Sequence, residues 1–448
     1  MAGIAGVTSL NQDCQVKQML AKISHRGGEE QSVFSHARAT LGITWNEAQA
    51  EKSRELLRKK EIADEAGEGH FARCKVTKQG ILLERDQLGV APLYYAFPQE
   101  ETVFFASEVK ALLPFTTNIR EFPPGHRLIN GQLKPYFQLE EKPFLSDHPE
   151  NIARELNHLL NQSVKKRVKR NDTGAWLSGG LDSSTLASLA GQYVDELHTF
   201  AAGLPGAPDL EYAQTVARFI DSKHHQIVVD FNTLLDVLPQ VIYHLESFDA
   251  WLVRSSITNY LAAQAASQYV TSVFSGEGGD ELFGGYGYLK SIAIDSLPGE
   301  LIDIISRLHN TALQRVDRSA AAYGIVAQVP LLGPQVVDYA LRIPPQLKIR
   351  NGTEKWILRK AMEGLLPKEV LWRTKVKFWK GAGIEDLLSQ HAEEKITDWD
   401  FQKEKTLPNG WILNSKEELM YYRIFKEHFG ELGNLSWMGR SKKASKAQ

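Results

Sequence analysis

The sequence predicts two parts. An α+β amino-terminal region of short strands and turns comes first. An α/β region built on a doubly wound parallel sheet follows, closing in a mostly helical stretch. Three observations predict this. Up to about residue 140 the apolar runs are broken by Gly, Pro and Asp, as in "GILLERDQLGVAPLYYAF" and "TVFFASEVKALL", which is a strand-and-turn pattern. From residue 174 to about 287, strand-like runs ("GAWLSG", "LHTFAAGL", "HHQIVVDF", "VTSVFSG") alternate with helical ones ("STLASLAGQYV", "EYAQTVARFI", "SITNYLAAQAASQ"). The chain has 448 residues, more than one hydrophobic core organises, so two domains or more are expected.

Composition sets the class. Hydrophobic residues make up 43% and charged residues 24%, as in globular proteins, and the formal net charge is -2. No global field draws the chain to nucleic acid or to a membrane. Its two cysteines, Cys14 and Cys74, lack CxxC spacing and point to a reducing compartment. No basic segment followed by an apolar run opens the chain, and no stretch approaches the roughly 20 apolar residues of a membrane span. The expectation is a cytoplasmic protein.

The elements follow in order. Residues 45 to 63 are helical in pattern and charged. "EFPPGHRLINGQLKPYFQL" ends the first region, and "EEKPFLSDHPEN" (140–151) reads as a linker. A helix should follow, with Ile152, Leu156, Leu159, Leu160 and Val164 on one face. It closes in "KKRVKR", read as a solvated helix end: cations suit a helix C-terminus, and no aromatic residues interleave as a nucleic-acid patch would require. The expected domains are residues 1–140, residues 141–435, and a disordered basic tail over 436–448.

"WLSGGLDSS" (176–184) sits between a strand and a helix, where backbone N–H groups and a helix N-terminus can face an anion. It lacks the lysine of a Walker loop. Ser178, Ser183 and Ser184 offer hydroxyls instead, and Asp182 suits a Mg²⁺ between carboxylate and phosphate. Taken alone, a plain tight turn explains the segment equally well. "FSGEGGDELFGGY" (274–286) also follows a strand-like run and offers Glu277, Asp280 and Glu281. Asp182 and Asp280 on two strand ends could share a divalent ion at the carboxyl edge of the sheet. The alternative is two unrelated glycine loops whose acids cap helices.

Together, "LSGGLDSS" and "SGEGGDELFGGY" resemble the ATP-pyrophosphatase signature of asparagine synthetases. "TFAAGLPGAPDLEYAQTVARFIDSKHHQIVVDF", "VIYHLESFD", "EKWILRKAMEGLLPKEVLWRTKVKF" and "KEELMYYRIFKEHF" extend the resemblance over nearly all of 150–430. It implies an enzyme that cleaves ATP between the α and β phosphates, adenylates the side-chain carboxylate of aspartate, and lets ammonia displace AMP. By that resemblance Ser178, Gly179, Gly180, Ser183 and Ser184 hold pyrophosphate, and Asp182 and Asp280 bind Mg²⁺. Leu177, Ala202 and Gly276 border the adenine. Lys355 meets developing negative charge, Glu277 takes a proton from ammonia, and Arg254 lies near the aspartate. Lys375 and Lys377 carry weaker support. Arg359, one turn beyond Lys355, is read with the site rather than as a solvated neighbour.

At the N-terminus the family usually begins Met-Cys-Gly-Ile, and the released cysteine attacks glutamine. Here the chain begins "MAGIAG", and the methyl group of Ala2 cannot form a thioester. "SHRGGEE", "RDQLGVAPLYY" and "FASEVKALLP" still resemble the family's class II glutamine amidotransferase domain, an Ntn-hydrolase-like sandwich. The Asn-Gly pair of its oxyanion hole and its Gly-Asp element are missing between them. The resemblance therefore implies a degenerate, truncated domain with no glutaminase activity, ammonia as nitrogen source, and room for a separate glutaminase subunit or a homodimer. Val326, Gln328 and Gly333 replace charged residues of many relatives, and Trp251 stands where a small hydroxyl residue is common. Two rivals stay open: a ligase for a different carboxylate, as in the β-lactam synthetases, and a non-catalytic regulatory protein.

Overall fold

The structure, a computed structural model, describes residues 2–441 apart from Glu29, residues 78–79, Glu100, Asn130, residues 170–171 and residues 375–380. Two antiparallel sheets form the amino-terminal part. The first contains β1 (Gly3–Val7), β2 (Glu30–His36), β3 (Ala39–Trp45), β7 (Tyr94–Gln99), β8 (Thr102–Ala106) and β9 (Ile119–Glu121), ordered β2-β3-β1-β8-β7-β9. The second contains β4 (Glu61–Glu65), β5 (Phe71–Thr77), β6 (Gly80–Arg85), β10 (His126–Ile129) and β11 (Gln132–Pro135), ordered β11-β10-β6-β5-β4. Side chains alternate across a strand. Ile4, Leu41, Ile43 and Phe105 of the first sheet therefore meet Ile62, Cys74 and Leu83 of the second in one core. Ala5, Val7, Tyr94 and Phe104 face the other way and pack with α1 (Asp13–Lys22) and with helices of the second domain. The first sheet is thus covered on both faces, one of them by the second domain.

The helix expected over 45–63 is shorter. A 3₁₀ turn over Glu47–Gln49 leads into α2 (Ala50–Arg58), and "EIADE" instead pairs as β4 with β5. Tertiary pairing overrides helical pattern in that segment. The linker crosses the second domain, where the Leu145 N–H donates to the Arg342 carbonyl at 2.8 Å. α3 (Pro149–Lys165) begins with Pro at its first turn and buries Ile152, Leu156, Leu160 and Val164. The run after it departs from a solvated end. Arg167 is buried, with Nη1 donating to Ser163 Oγ at 2.8 Å and Nη2 to the Glu68 carbonyl at 2.5 Å. Its methylene stem and fork tie the helix end to the amino-terminal domain.

The second domain carries a parallel sheet of β12 (Thr173–Trp176), β13 (His198–Gly203), β14 (Lys223–Val228), β15 (Ser272–Phe274) and β16 (Val326–Gln328), ordered β14-β13-β12-β15-β16. The short β16 lies in a stretch expected to be helical; three residues are too few for an alternation to show. The chain runs outward from β12 through β13 to β14, then returns to the far side of β12 with β15. The strand order therefore reverses between β12 and β15, the crevice where doubly wound sheets bind ligands. The connecting helices are α4 (Leu181–Ala190), α5 (Pro208–Phe219), α6 (Phe231–Leu245) and α7 (Ala250–Ala266). Then come α8 (Gly279–Phe283), α9 (Leu297–Ser306) and α10 (Ala312–Ala321). Further helices include Trp356–Ala361 and Lys416–Phe429. The expected tail is docked in its first part: Trp437 and Met438 are buried, and the Ser441 N–H donates to Asp249 at 2.9 Å. Residues 442–448 lie outside the described residues. Among the described residues no helix is long and apolar enough to cross a membrane.

Candidate active site

The two glycine segments flank the switch point, one after β12 and one after β15. Leu177 continues the β12 ladder, its N–H donating to the Phe200 carbonyl at 2.8 Å. Gly179 then turns with φ of +68°, and an added Cβ would lie 2.4 Å from Tyr212 Cβ, so α5 packs where only glycine fits. The turn closes on itself: Ser178 Oγ and Ser183 Oγ are 3.0 Å apart, and Ser183 Oγ donates to the Gly180 carbonyl at 3.2 Å. Gly180 starts α4 without a side-chain cap. The first N–H groups of a helix have no carbonyl within it, and a helix N-terminus is suited to meet an anion. Ser184 Oγ is buried without a hydrogen-bond partner. Ala202 and Gly276, at the ends of β13 and β15, lie half-buried at the same edge.

The amine missing from the loop comes from far along the chain. Lys355 is buried, and its Nζ lies 2.5 Å from Asp182 Oδ2 and 2.6 Å from Asp280 Oδ1. The two predicted metal carboxylates thus converge on one cation, the predicted catalytic lysine. Its backbone sits at φ of +53°, a left-handed conformation uncommon for a side-chain-bearing residue, at the start of the helix Trp356–Ala361. Glycines permit the approach: a Cβ on Gly285 would lie 2.0 Å from Asp280 Oδ1 and 2.1 Å from Lys355 Cε, and one on Gly279 would lie 2.3 Å from Asp182 Oδ1. Asp182 Oδ1 is buried with no hydrogen-bond partner.

Glu277 is paired with Arg315 of α10, a residue that no sequence pattern singled out. Beside it Glu281 accepts from the Tyr286 hydroxyl. Burial, with Asp280 and Glu277 close by, pushes the Glu281 carboxyl up to about 7. Arg254 is engaged rather than open to the crevice. It makes a two-pronged pair with the buried Glu417, Nε to Oε1 at 2.6 Å, and the Tyr421 hydroxyl donates to the same carboxylate at 2.7 Å. It still lies one turn into α7, at the end nearer the carboxyl edge of the sheet.

Arg359 corrects its reading. Its guanidinium donates to the carbonyls of Leu371 at 2.6 Å and Arg373 at 3.0 Å and pairs with Glu354, so it braces the backbone behind Lys355. Arg373 in turn reaches the Gly179 carbonyl at 3.3 Å and Asp209 at 2.7 Å, and lies 3.9 Å over the Tyr212 ring. Lys375 and Lys377 lie outside the described residues. Cys74 is buried, with its thiol pushed up by burial, and Cys14 is exposed on α1, so neither is placed as a nucleophile. Gln328 donates its side-chain N–H to the Arg167 carbonyl at 3.1 Å, and Gly333 leaves the room that Ser163 Oγ occupies.

Known proteins resemble this chain in both parts. The asparagine synthase family model matches residues 155–308 and 293–447, and the glutamine amidotransferase domain model matches residues 61–160. The chain is 35% identical over 384 residues to asparagine synthetase B [glutamine-hydrolyzing] of Escherichia coli, covering 80% of this chain and 69% of that one. It is 35% identical over 394 residues to a probable asparagine synthetase of Schizosaccharomyces pombe, covering 79% and 70%. It is 34% identical over 406 residues to asparagine synthetase 1 of Saccharomyces cerevisiae, covering 78% and 71%.

Proposed function

The chain belongs to the asparagine synthase family, and from that premise we propose that it forms asparagine from aspartate and ammonia, with ATP cleaved to AMP and pyrophosphate. The observation that carries the reading is the convergence of Asp182, Asp280 and Lys355 beside the glycine turn at the switch point.

In the first half-reaction the aspartate side-chain carboxylate attacks the α-phosphorus and pyrophosphate leaves. Leu177, Ala202 and Gly276 border the adenine, while Ser178, Gly179, Gly180, Ser183 and Ser184 receive the outer phosphates. The Lys355 ammonium meets the charge that builds on the leaving oxygens, in a buried place where a fixed cation counts for more than in water. The residues fit a divalent ion. Asp182 keeps a buried oxygen without a partner, and Asp280 stands within reach of the same amine. Mg²⁺ would be held by these two carboxylates together with substrate phosphates. Bound Mg²⁺ would supply neutralisation of phosphate charge. In the second half-reaction Glu277, held by Arg315, takes a proton from ammonia as it displaces AMP. Arg254 is proposed to meet the aspartate while sharing its guanidinium with Glu417.

Nitrogen comes from ammonia, free or supplied by a separate glutaminase subunit. The first residue of β1 is preceded by Ala2, buried and without a nucleophilic atom. A different carboxylate acceptor is the second reading, favoured by Trp251 at the start of α7 and by Gln328 on β16. One assay separates the two: pyrophosphate release with ATP, Mg²⁺ and ammonium, offered aspartate and other amino acids in turn. Release with aspartate alone supports the first reading, and release only with another acid supports the second.

A further inference from the structure

Helix α10 faces two ways. At Arg315 it grips Glu277. Two and three residues on, Asp317 and Arg318 point into the amino-terminal domain. Arg26, fully buried, donates Nη1 and Nη2 to the two Asp317 oxygens at 2.9 Å each, Nη2 to Asp64 at 2.7 Å, and Nη1 to Glu108 at 2.8 Å. Arg318 donates to Glu246 at 3.0 Å and to the Ser107 carbonyl at 3.2 Å. Glu246 completes the ring by accepting the backbone N–H groups of Val109 at 3.1 Å and Lys110 at 2.7 Å. "SHRGG" and "FASEVK" of the first domain therefore meet "HLES" and "RVDRS" of the second in one buried ionic cluster. The partners differ from helix packing in kind. α10 also packs on α6 and α7, with Gln314 Nε2 donating to the Leu245 carbonyl at 2.7 Å. A two-pronged guanidinium–carboxylate pair fixes both distance and rotation.

We propose that the amino-terminal domain is a positioning element for the amide-forming step: Arg26 and Asp317 set the rotation of α10, and α10 aims Glu277 through Arg315. This rests on the reading of Glu277 as the base. It gives the domain a task that needs no cysteine nucleophile. It also separates the half-reactions for the test: Lys355 pairs with Asp182 and Asp280, whereas Glu277 pairs with Arg315 of α10.

The test uses the full chain. Removing one member of a buried ionic cluster leaves a stranded charge, so the pair is replaced together as Arg26→Met with Asp317→Leu, which keeps volume and strands less charge. Asp317→Asn is the milder second variant. Two rates are read: aspartate-dependent exchange of labelled pyrophosphate into ATP without ammonia, and asparagine formation with ammonium. Both variants should keep exchange within about twofold of wild type. Asparagine formation should fall roughly tenfold or more, the scale of a small misplacement of a catalytic group. Arg26→Lys, retaining a cation, should recover part of the loss. A proportional fall in both rates, or no fall in asparagine formation, would overturn the proposal. Wild-type protein that shows no aspartate-dependent exchange would instead sink the functional reading beneath it.

Discussion

At the scale of single residues, the proposed reaction assigns adenylation to Lys355 and amide formation to Glu277. Lys355→Ala removes the buried cation between Asp182 and Asp280, so pyrophosphate exchange in the presence of aspartate should fall by about 10²–10³-fold, the loss seen when a preorganised charge-stabilising donor is deleted. Glu277→Gln should leave exchange largely intact and lower asparagine formation by about 10²–10⁴-fold. Equal loss of exchange in both variants would reassign Glu277 to binding. A third residue controls stability rather than rate. His70 is buried against the Leu332 carbonyl at 3.0 Å, and burial with Arg167 nearby pulls it down to about 3. An unfolded chain protonates histidine below about pH 6.5. Below that pH the unfolded state therefore takes up a proton that the folded state refuses. Stability is fully present above pH 6.5 and is lost on acidification toward pH 3, by at most about 1.4 kcal/mol per pH unit. His70→Gln should lose less stability than wild type between pH 6.5 and 4.5, read as urea midpoints; parallel losses would contradict this. The roles of Lys355 and Glu277 came from a motif resemblance. Arg315 did not, because its task arises from where α10 lies in space, and nothing in "LQRVDRS" marks it.

At the scale of elements, the two glycine segments work as one piece. Gly285 lets Asp280 and Lys355 come together, so Gly285→Ala should abolish exchange while the fold, read by circular dichroism and thermal melting, persists. A Gly285→Ala protein with normal exchange would show that the crowding is not needed. The strands and helices around the switch point were legible because their apolar runs are long and bounded by glycine turns. β16 and β4 were not. The first is three residues long, and the second carries the helix-like "EIADE" whose state is decided by β5 beside it. "KKRVKR" misled in the opposite sense: a basic run reads as solvated, yet Arg167 finds Ser163 and Glu68 and goes inside. Arg254 and Arg359 belong to the same lesson. Sequence placed both near the chemistry, but their partners, Glu417 and the carbonyls of Leu371 and Arg373, are set by tertiary contacts no local pattern carries.

At the scale of the whole molecule, the amino-terminal domain is joined to the synthetase part through a buried ionic cluster and a shared apolar core, and its first sheet is sandwiched between its own partner sheet and helices of the second domain. Such a domain is integral to the fold whether or not it hydrolyses glutamine. Its first strand is preceded by Ala2, which has no atom to attack a carboxamide. Restoring a thiol alone should not suffice on the proposed reading, in which the oxyanion donors are lost as well: Ala2→Cys is expected to leave glutamine-supported synthesis at background. The proposed reaction makes asparagine from aspartate with ATP and ammonia. It is tested most directly by incubating the purified full chain with ATP, Mg²⁺ and aspartate, adding ammonium to one portion and glutamine to another, and measuring asparagine, AMP and pyrophosphate. With ammonium the three products should form in equal amounts, and with glutamine they should stay at background. Asparagine formed with glutamine alone, or none with ammonium, would contradict it.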